Sequence, residues 1–364
     1  SNASPSCGSA LIKEERSVPD LMTEAPVHRS RAKTHVARAL WYTAPETAEI
    51  RSERLAPAPP GWLTIRTHFT AISRGTERLI WSGRIAPSEW QRMRAPAQSG
   101  DFPFPVKYGY SAAGQVIEGP KEWLGVNTFA LHPHQDIFHL CPERAIRLPD
   151  HIPLERATLA ANMETALNGV WDSAAGPGDR IVVVGAGVVG LLIAFLCARL
   201  PGARVDVIDP ALERRAIVEA FGATFHPASE ETIATIGDSA DIVFHASATA
   251  AGLQSAIDLA GFEARVVEMS WYGDRPVEVL LGGAFHAKRL TIVSSQVGHV
   301  ATNRRSRWPH ARRLETAAAL LDDDRLDAVL AGTIAFDDLP ERIGDILTGT
   351  DGGLSPVVAY DHSS

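Results

Sequence analysis

Cysteine is scarce in this chain: Cys7, Cys141 and Cys197 are its only three in 364 residues, and no two are spaced as C-x-x-C. That scarcity argues against a disulfide framework and against a four-cysteine structural zinc site. Excess positive charge is missing as well. With 35 Lys and Arg against 43 Asp and Glu, the formal charge is −8, which speaks against nucleic acid as a partner. The one dense basic stretch, Arg304, Arg305, Arg307, Arg312 and Arg313, reads as a solvated face or an anion contact. No internal repeat, extended low-complexity tract or secretory leader is visible, so a soluble, cytoplasmic protein without membrane contact is expected. Residues 1–34 mix Ser, Pro and charge without sustained periodicity and are expected to be a poorly ordered tail.

Long uncharged runs are also rare, and the one that occurs is informative. Residues 181–198 carry no charge and would suffice in length for a membrane span, but Gly185, Gly187 and Gly190 fall within their first ten positions. The segment 181–190, IVVVGAGVVG, joins a β-branched run to a G-x-G-x-x-G turn, and residues 191–200 continue as a helix. A turn cluster, Gly176 to Asp179, launches the strand, and residues 205–209 form a second strand ending in Asp209, 19 residues after Gly190. This is a dinucleotide-binding fingerprint in its required context. Gly185 permits the tight turn, Gly187 lets backbone approach a pyrophosphate, and Gly190 allows close helix–strand packing. The free N–H groups that open the helix, around Val188 and Val189, face the phosphates. The competing reading is a buried strand and helix joined by a glycine turn that binds nothing. Asp209 sits where a carboxylate accepts both adenosine ribose hydroxyls and repels a 2′-phosphate, which favours NAD over NADP; Arg214 and Arg215 keep NADP as the alternative.

Around this element the chain changes character. Residues 37–150 show short β-type runs at 39–42, 62–68, 112–117 and 128–131, broken by Pro and Gly, which predicts a barrel-like β domain. Helical patterning begins at 154–171, after which strand and helix alternate to about residue 295. That alternation predicts an α/β fold with a doubly wound parallel sheet. A last helix carries Leu314, Ala317, Ala318 and Leu321 on one face. The expected domains are therefore 35–150, 151–296 for the dinucleotide, and a return at 297–364.

Three further elements carry a resemblance. Gly75-Thr76-Glu77 resembles a C-G-T-D element, residues 105–111 (PVKYGYS) resemble a G-H-E element, and residues 163–167 (METAL) resemble a helix whose threonine lies beside a nicotinamide. In this order, over roughly residues 37 to 360, the chain resembles the medium-chain dehydrogenase/reductase superfamily, which includes the zinc alcohol dehydrogenases. Ser73 to Glu77 and Pro133-His134-Gln135 are most similar to the zinc-lacking branch of the bacteriochlorophyllide hydroxyethyl dehydrogenases. The resemblance implies a Rossmann domain joined to a GroES-like catalytic domain, and a homodimer formed through sheet edges near residues 277–281. Where zinc-dependent relatives place ligands, this chain has Arg74, then Tyr110 and Ser111, then Ala161. None of these is a suitable zinc ligand, so no zinc is expected. A different metal site would draw on His132 and His134, or His139 and Cys141, yet Pro133 interrupts the first pair and Asp136 is the only carboxylate nearby. His132 and His139 read more simply as surface histidines.

Without zinc, the oxyanion and the proton fall to side chains. If the correspondence holds, Arg74 and Tyr110 point into the cleft, and His134 is the other acid/base group. Glu77 and Glu164 either orient these groups or are structural acids paired with Arg74 or a backbone amide. Thr165 is expected at the nicotinamide. Ser270, Trp271 and Tyr272, with Ser295 and its neighbours, are expected to frame the carboxamide; core packing is the competing reading for Trp271 and Tyr272, and core or cleft packing for Tyr108. Three functions stay open. The first is a zinc-independent oxidoreductase passing hydride between NAD and a small-molecule secondary alcohol or carbonyl. The others are an enoyl- or quinone-type double-bond reductase and an inactive dinucleotide-binding sensor or scaffold.

Overall fold

Strand Arg180–Val184 buries both its faces, Ile181 and Val183 in one apolar cluster and Val182 and Val184 in another. Two-faced burial is the requirement of a central parallel strand. In the computed structural model, which describes residues 34–349 and 353–362, this strand lies inside a six-stranded sheet. The tail expected over residues 1–34 falls, apart from Thr34, outside the described residues.

Across that sheet the order is Thr224–Pro227, Arg204–Asp209, Arg180–Val184, Ala240–His245, Ala260–Glu268 and Thr291–Ser294, with every pairing parallel. In chain order this is 3-2-1-4-5-6, the doubly wound arrangement, and its order reverses beside Arg180–Val184. Helices Ala160–Ser173, Val188–Cys197 and His310–Ala319 cover one face, while Ala250–Leu259 and Glu230–Ile236 cover the other. Two helical stretches of the alternating region are divided. Residues 154–171 form Leu154–Ala157 and Ala160–Ser173, and residues 211–221 form a 3₁₀ turn, Leu212–Arg214, before helix Arg215–Ala220. The uncharged run 181–198 is shared between a strand and a helix, and among the described residues no helix is long and apolar enough to cross a membrane.

The β-rich region holds two sheets. Val36–Ala44 and Thr47–Arg54 form a hairpin in the four-stranded sheet. In the seven-stranded sheet, Leu63–Ala71 pairs with Ala112–Glu118, Ile137–Leu140 and, from the far end of the chain, Ser355–Ala359. Leu330–Ala335 then adds in parallel to Ser355–Ala359. Helix Leu339–Thr348 crosses between those two strands and packs Ile343, Ile346 and Leu347 into the cluster that holds Leu79, Ile80 and Trp81 of helix Arg74–Trp81. The C-terminal return thus fixes the helix that carries Arg74, Thr76 and Glu77.

Candidate active site

The glycine turn forms a cradle at the start of helix Val188–Cys197. Gly185 has φ +109, a left-handed conformation suited to glycine, and a Cβ there would stand 2.8 Å from the Ser247 amide nitrogen. A Cβ at Gly190 would run into the Gly185 carbonyl oxygen. Gly187 caps the helix, and nothing lies within 4 Å of the point its Cβ would occupy. Gly187 is exposed and Val188 and Val189 are half-buried at this helix start, where the first amides have no intrahelical acceptor. Half-buried Asp209 accepts the Ala186 N–H at 2.6 Å through one oxygen and the Ala211 N–H at 2.8 Å through the other. A carboxylate has about four acceptor sites, so lone pairs remain for sugar hydroxyls. Arg215 is engaged with Glu219 at 3.5 Å and lies over the Phe225 ring. Glycines, helix amides and acid together suit a dinucleotide.

A second polar assembly is built on helix Arg74–Trp81. Glu77, a turn into the helix, reaches back to accept the Ser73 N–H at 2.7 Å. The bond satisfies an amide at the helix start, and an acid there suits the helix dipole. It also leaves the Ser73 hydroxyl available, and the Tyr110 hydroxyl donates to it; Thr76 Oγ1 is 3.4 Å from the same phenol. Burial pushes the Tyr110 phenol above its ordinary value, with the Ser73 and Thr76 hydrogen bonds opposing.

His134 does not join these groups at the surface. Its segment runs beneath, with its carbonyl accepting the Leu40 N–H at 2.9 Å. Nε2 lies 3.1 Å from Glu77 Oε2, which also accepts the Tyr42 hydroxyl at 2.7 Å. Nδ1 lies 2.7 Å from Thr70 Oγ1, itself 3.2 Å from the Tyr360 hydroxyl. The Glu77 and His134 side chains are each 1% exposed, so they lie not at the cleft surface as expected but sealed behind Ser73. Gly109, at φ +126, admits the ring: a Cβ there would be 3.0 Å from His134 Cδ2. Tyr108 is core, in one cluster with Leu40, Tyr42 and Trp81, and burial holds its phenol well above the ordinary value. Arg74 donates to the Gly353 carbonyl in the segment before Ser355–Ala359.

The remaining expected residues divide between the cleft and the interior. Thr165 is half-buried and donates to the Ala161 carbonyl at 3.1 Å. Glu164 is paired not with Arg74 but with buried Arg313 at 2.9 Å, and burial raises its carboxyl against that pairing. Arg313 also donates to the carbonyls of Val297 and His299, which ties the loop after the sixth strand to helix Ala160–Ser173. Ser295 is 9% exposed and donates to Asp172 at 2.7 Å, turned toward that helix. Ser270 Oγ accepts the Ala248 N–H at 3.1 Å. Trp271 packs against the β-domain cluster containing Leu79 and Tyr108, and Asp274 meets Arg84 at 3.0 Å. Residues 270–274 therefore run from the parallel sheet onto the β domain.

Two histidines differ in setting. His132, expected on the surface, is buried with its ring stacked 3.7 Å from Phe138, and burial pulls its value down to about 3. His139 is half-buried, with Nδ1 3.1 Å from Thr64 Oγ1. Among the described residues, no three or more His, Cys, Asp or Glu side chains group as metal ligands. Sequence reasoning gave no role to Tyr42, Thr70 and Tyr360, and named Ser73 and Thr76 only as parts of a motif. The one local signal was that Ser73 begins the stretch ending in Glu77.

The family model described as zinc-binding dehydrogenase matches residues 188–316. An uncharacterized zinc-type alcohol dehydrogenase-like protein of Haemophilus influenzae is 24% identical over 209 residues, 55% of this chain and 57% of that protein. The chain thus spans about half the length of this curated relative. Among solved structures, 2R,3R-butanediol dehydrogenase from Bacillus subtilis is similar with a TM-score of 0.71 at 17% identity, covering 89% of this chain and 100% of that one. A short chain alcohol dehydrogenase from Escherichia coli CFT073, complexed with NADH, has a TM-score of 0.70 at 16% identity, covering 89% and 99%. At these identities the two structures speak for the fold, a Rossmann domain joined to a GroES-like β-rich domain. Taken with the 3-2-1-4-5-6 sheet, these likenesses make the chain similar to zinc-type alcohol dehydrogenases in sequence over part of its length and in fold over most of it.

Proposed function

We propose that this chain is an oxidoreductase that passes hydride between a nicotinamide dinucleotide and a secondary alcohol or carbonyl group of a small molecule, and that it works without zinc. The observation that carries this reading is the hydroxyl group of Tyr110 bonded to Ser73 and close to Thr76, at a position where zinc-dependent relatives hold a ligand. Catalytic zinc requires three ligands of the Cys, His or carboxylate kind. The wall around Tyr110 offers the hydroxyls of Ser73 and Thr76, while the Arg74 guanidinium is turned to the Gly353 carbonyl. Its nearest carboxylate, Glu77, is already engaged by Ser73, Tyr42 and His134. The donor set does not fit the metal.

When bound, the nicotinamide supplies or accepts the hydride. The chain's own residues then manage the charge and the proton. A phenol held above its ordinary value is protonated at neutral pH, so Tyr110 can give its proton to an oxyanion and recover one through the Ser73 hydroxyl. In the oxidative direction the same hydroxyls carry the proton away. Glu77, His134 and Tyr42 are positioning residues, because they fix the Ser73 backbone. This proton path favours alcohol chemistry over double-bond reduction, which needs an oxyanion donor further from the hydride. NAD(H) is preferred over NADP(H) in this reading, since Asp209 retains lone pairs for ribose hydroxyls and repels a 2′-phosphate, while Arg215 is engaged elsewhere.

A homodimer through the sheet edge belongs to the same proposal. Thr291–Ser294 is the outermost strand, and Leu280 and Leu281 before it are exposed; sedimentation tests it. The activity is tested by screening NAD⁺ and NADP⁺ reduction over secondary alcohols, polyols and heterocyclic alcohols. Turnover with NAD⁺ is expected, with Tyr110→Phe lowering kcat by about 100-fold or more while NADH binding is kept. Wild-type turnover in Tyr110→Phe removes Tyr110 as the acid. Cofactor binding without turnover on any class instead supports a sensor or scaffold.

A further inference from the structure

A second carboxylate–imidazole pair lies at the carboxyl end of the parallel sheet, outside the proton path described above. His245 ends the fourth strand, Glu268 ends the fifth, and the two are register partners. The imidazole is fully buried. Its Nδ1 lies 2.8 Å from Glu268 Oε2, and its Nε2 lies 2.7 Å from the Ser247 hydroxyl. Glu268 also accepts the Ser270 N–H at 2.7 Å and the Tyr272 hydroxyl at 3.1 Å. Burial works to raise the Glu268 carboxyl, but the bonds from His245 and Ser270 prevail and hold it below its ordinary value. A carboxylate charge is therefore maintained in a largely desolvated place, with the side chain 14% exposed.

The order Ser247, His245, Glu268 has the spacing of a hydrolytic triad, but its serine is not presented as a nucleophile. Ser247 Oγ is lodged against Gly252 in the first turn of helix Ala250–Leu259, where a Cβ would strike it, and Thr249 Oγ1 lies 3.0 Å away. The arrangement orients a carboxylate rather than activating a hydroxyl.

Its position suggests what the carboxylate acts on. In a doubly wound sheet a dinucleotide lies across the carboxyl ends of the strands, on both sides of the point where the order reverses. Asp209, ending the second strand, marks the adenosine side, and Gly185 and Gly187 mark the pyrophosphate. The ends of the fourth and fifth strands lie on the opposite side of the glycine turn. The end of the fourth also abuts it, since the closest atoms to a Cβ at Gly185 belong to Ala246 and Ser247. The nicotinamide half extends over this side. That ring is cationic when oxidised and neutral when reduced, so a fixed negative charge in a low-dielectric floor acts on the two forms unequally.

We propose that the Glu268 carboxylate, oriented by His245, favours the oxidised, cationic form of the bound nicotinamide over the reduced form and so sets the redox poise of the bound cofactor. This rests on the dinucleotide reading above. It assigns Glu268 an electrostatic role through space, distinct from proton transfer at Tyr110.

The test is direct binding of NAD⁺ by calorimetry and of NADH by fluorescence to the full chain, without any substrate. In Glu268→Gln the ratio Kd(NAD⁺)/Kd(NADH) is expected to rise about tenfold. Glu268→Thr, a smaller charge-free variant, should do the same and serves if the Gln protein does not fold. Tyr272→Phe removes one hydrogen bond but keeps the charge, and should hold the ratio within about twofold. Equal weakening of both affinities, or an unchanged ratio, would overturn the proposal while leaving dinucleotide binding intact. Wild-type protein that binds neither form would overturn the dinucleotide reading and this proposal with it.

Discussion

Among the described residues, two carboxylate–imidazole pairs hold a fully or almost fully buried imidazole: Glu77 with His134 in the β domain and Glu268 with His245 at the carboxyl end of the parallel sheet. Their chemistry is the same, but their surroundings differ. In the first pair both side chains are 1% exposed, and their bonds reach only inward, to Tyr42, Thr70 and the Ser73 backbone. In the second, the imidazole is sealed, but the carboxylate is 14% exposed and bonded to the segment that leaves the sheet for the β domain. The comparison teaches that a histidine beside an acid is not by itself a catalytic group. The sealed pair bonds the Ser73 amide and leaves the Ser73 hydroxyl to Tyr110; in the reading proposed above, the half-open pair keeps a charge where a ligand can feel it.

If that contrast is right, perturbing the sealed region should register as stability and perturbing the carboxyl end of the sheet as ligand affinity. The largest effect is expected from Glu77→Ala, which strips partners from His134, Tyr42 and the Ser73 amide together. Removing one member of a buried pair costs about 3–5 kcal/mol, measurable by urea denaturation. A loss below about 1 kcal/mol would mean the pair is not a structural support.

A smaller effect should come from acid. His132 has a folded value of about 3, below the unfolded value of about 6.5, so the unfolded chain binds more protons between those limits. Its contribution is intact above about pH 6.5 and is lost as the pH falls toward 3, by roughly 2 kcal/mol at pH 5. Stability measured against pH in His132→Gln should lose that slope; an unaltered slope would place the acid sensitivity elsewhere.

The smallest effect is on the open side. Asp209→Ala should weaken NAD(H) binding about tenfold and NADP(H) binding less, with equal losses sinking the cofactor preference.

How much of this was legible depended on the range of the interactions. The parallel sheet could be read because its strands are short apolar runs alternating with helices. Thr47–Arg54 was missed because it is a largely exposed strand of alternating charge with no apolar face to reveal it. Leu330–Ala335 and Ser355–Ala359 were missed because their partners lie in each other or in Leu63–Ala71, far back in the chain. The site divides in the same way. Gly185, Gly187, Gly190 and Asp209 announce themselves through local spacing. Tyr42, Thr70 and Tyr360 do not, since only the closed sheet brings them to His134 and Glu77. His134 was recognised as chemically able, but nothing local shows that the strands close over it.

The central claim is that hydroxyls do here what a metal does in zinc-dependent relatives. Its most direct test is the rate of NAD⁺ reduction with a secondary alcohol found in the screen, measured before and after exhaustive chelation and again after adding zinc. The account predicts an unchanged rate in all three conditions. Activity that disappears on chelation and returns with zinc would contradict it.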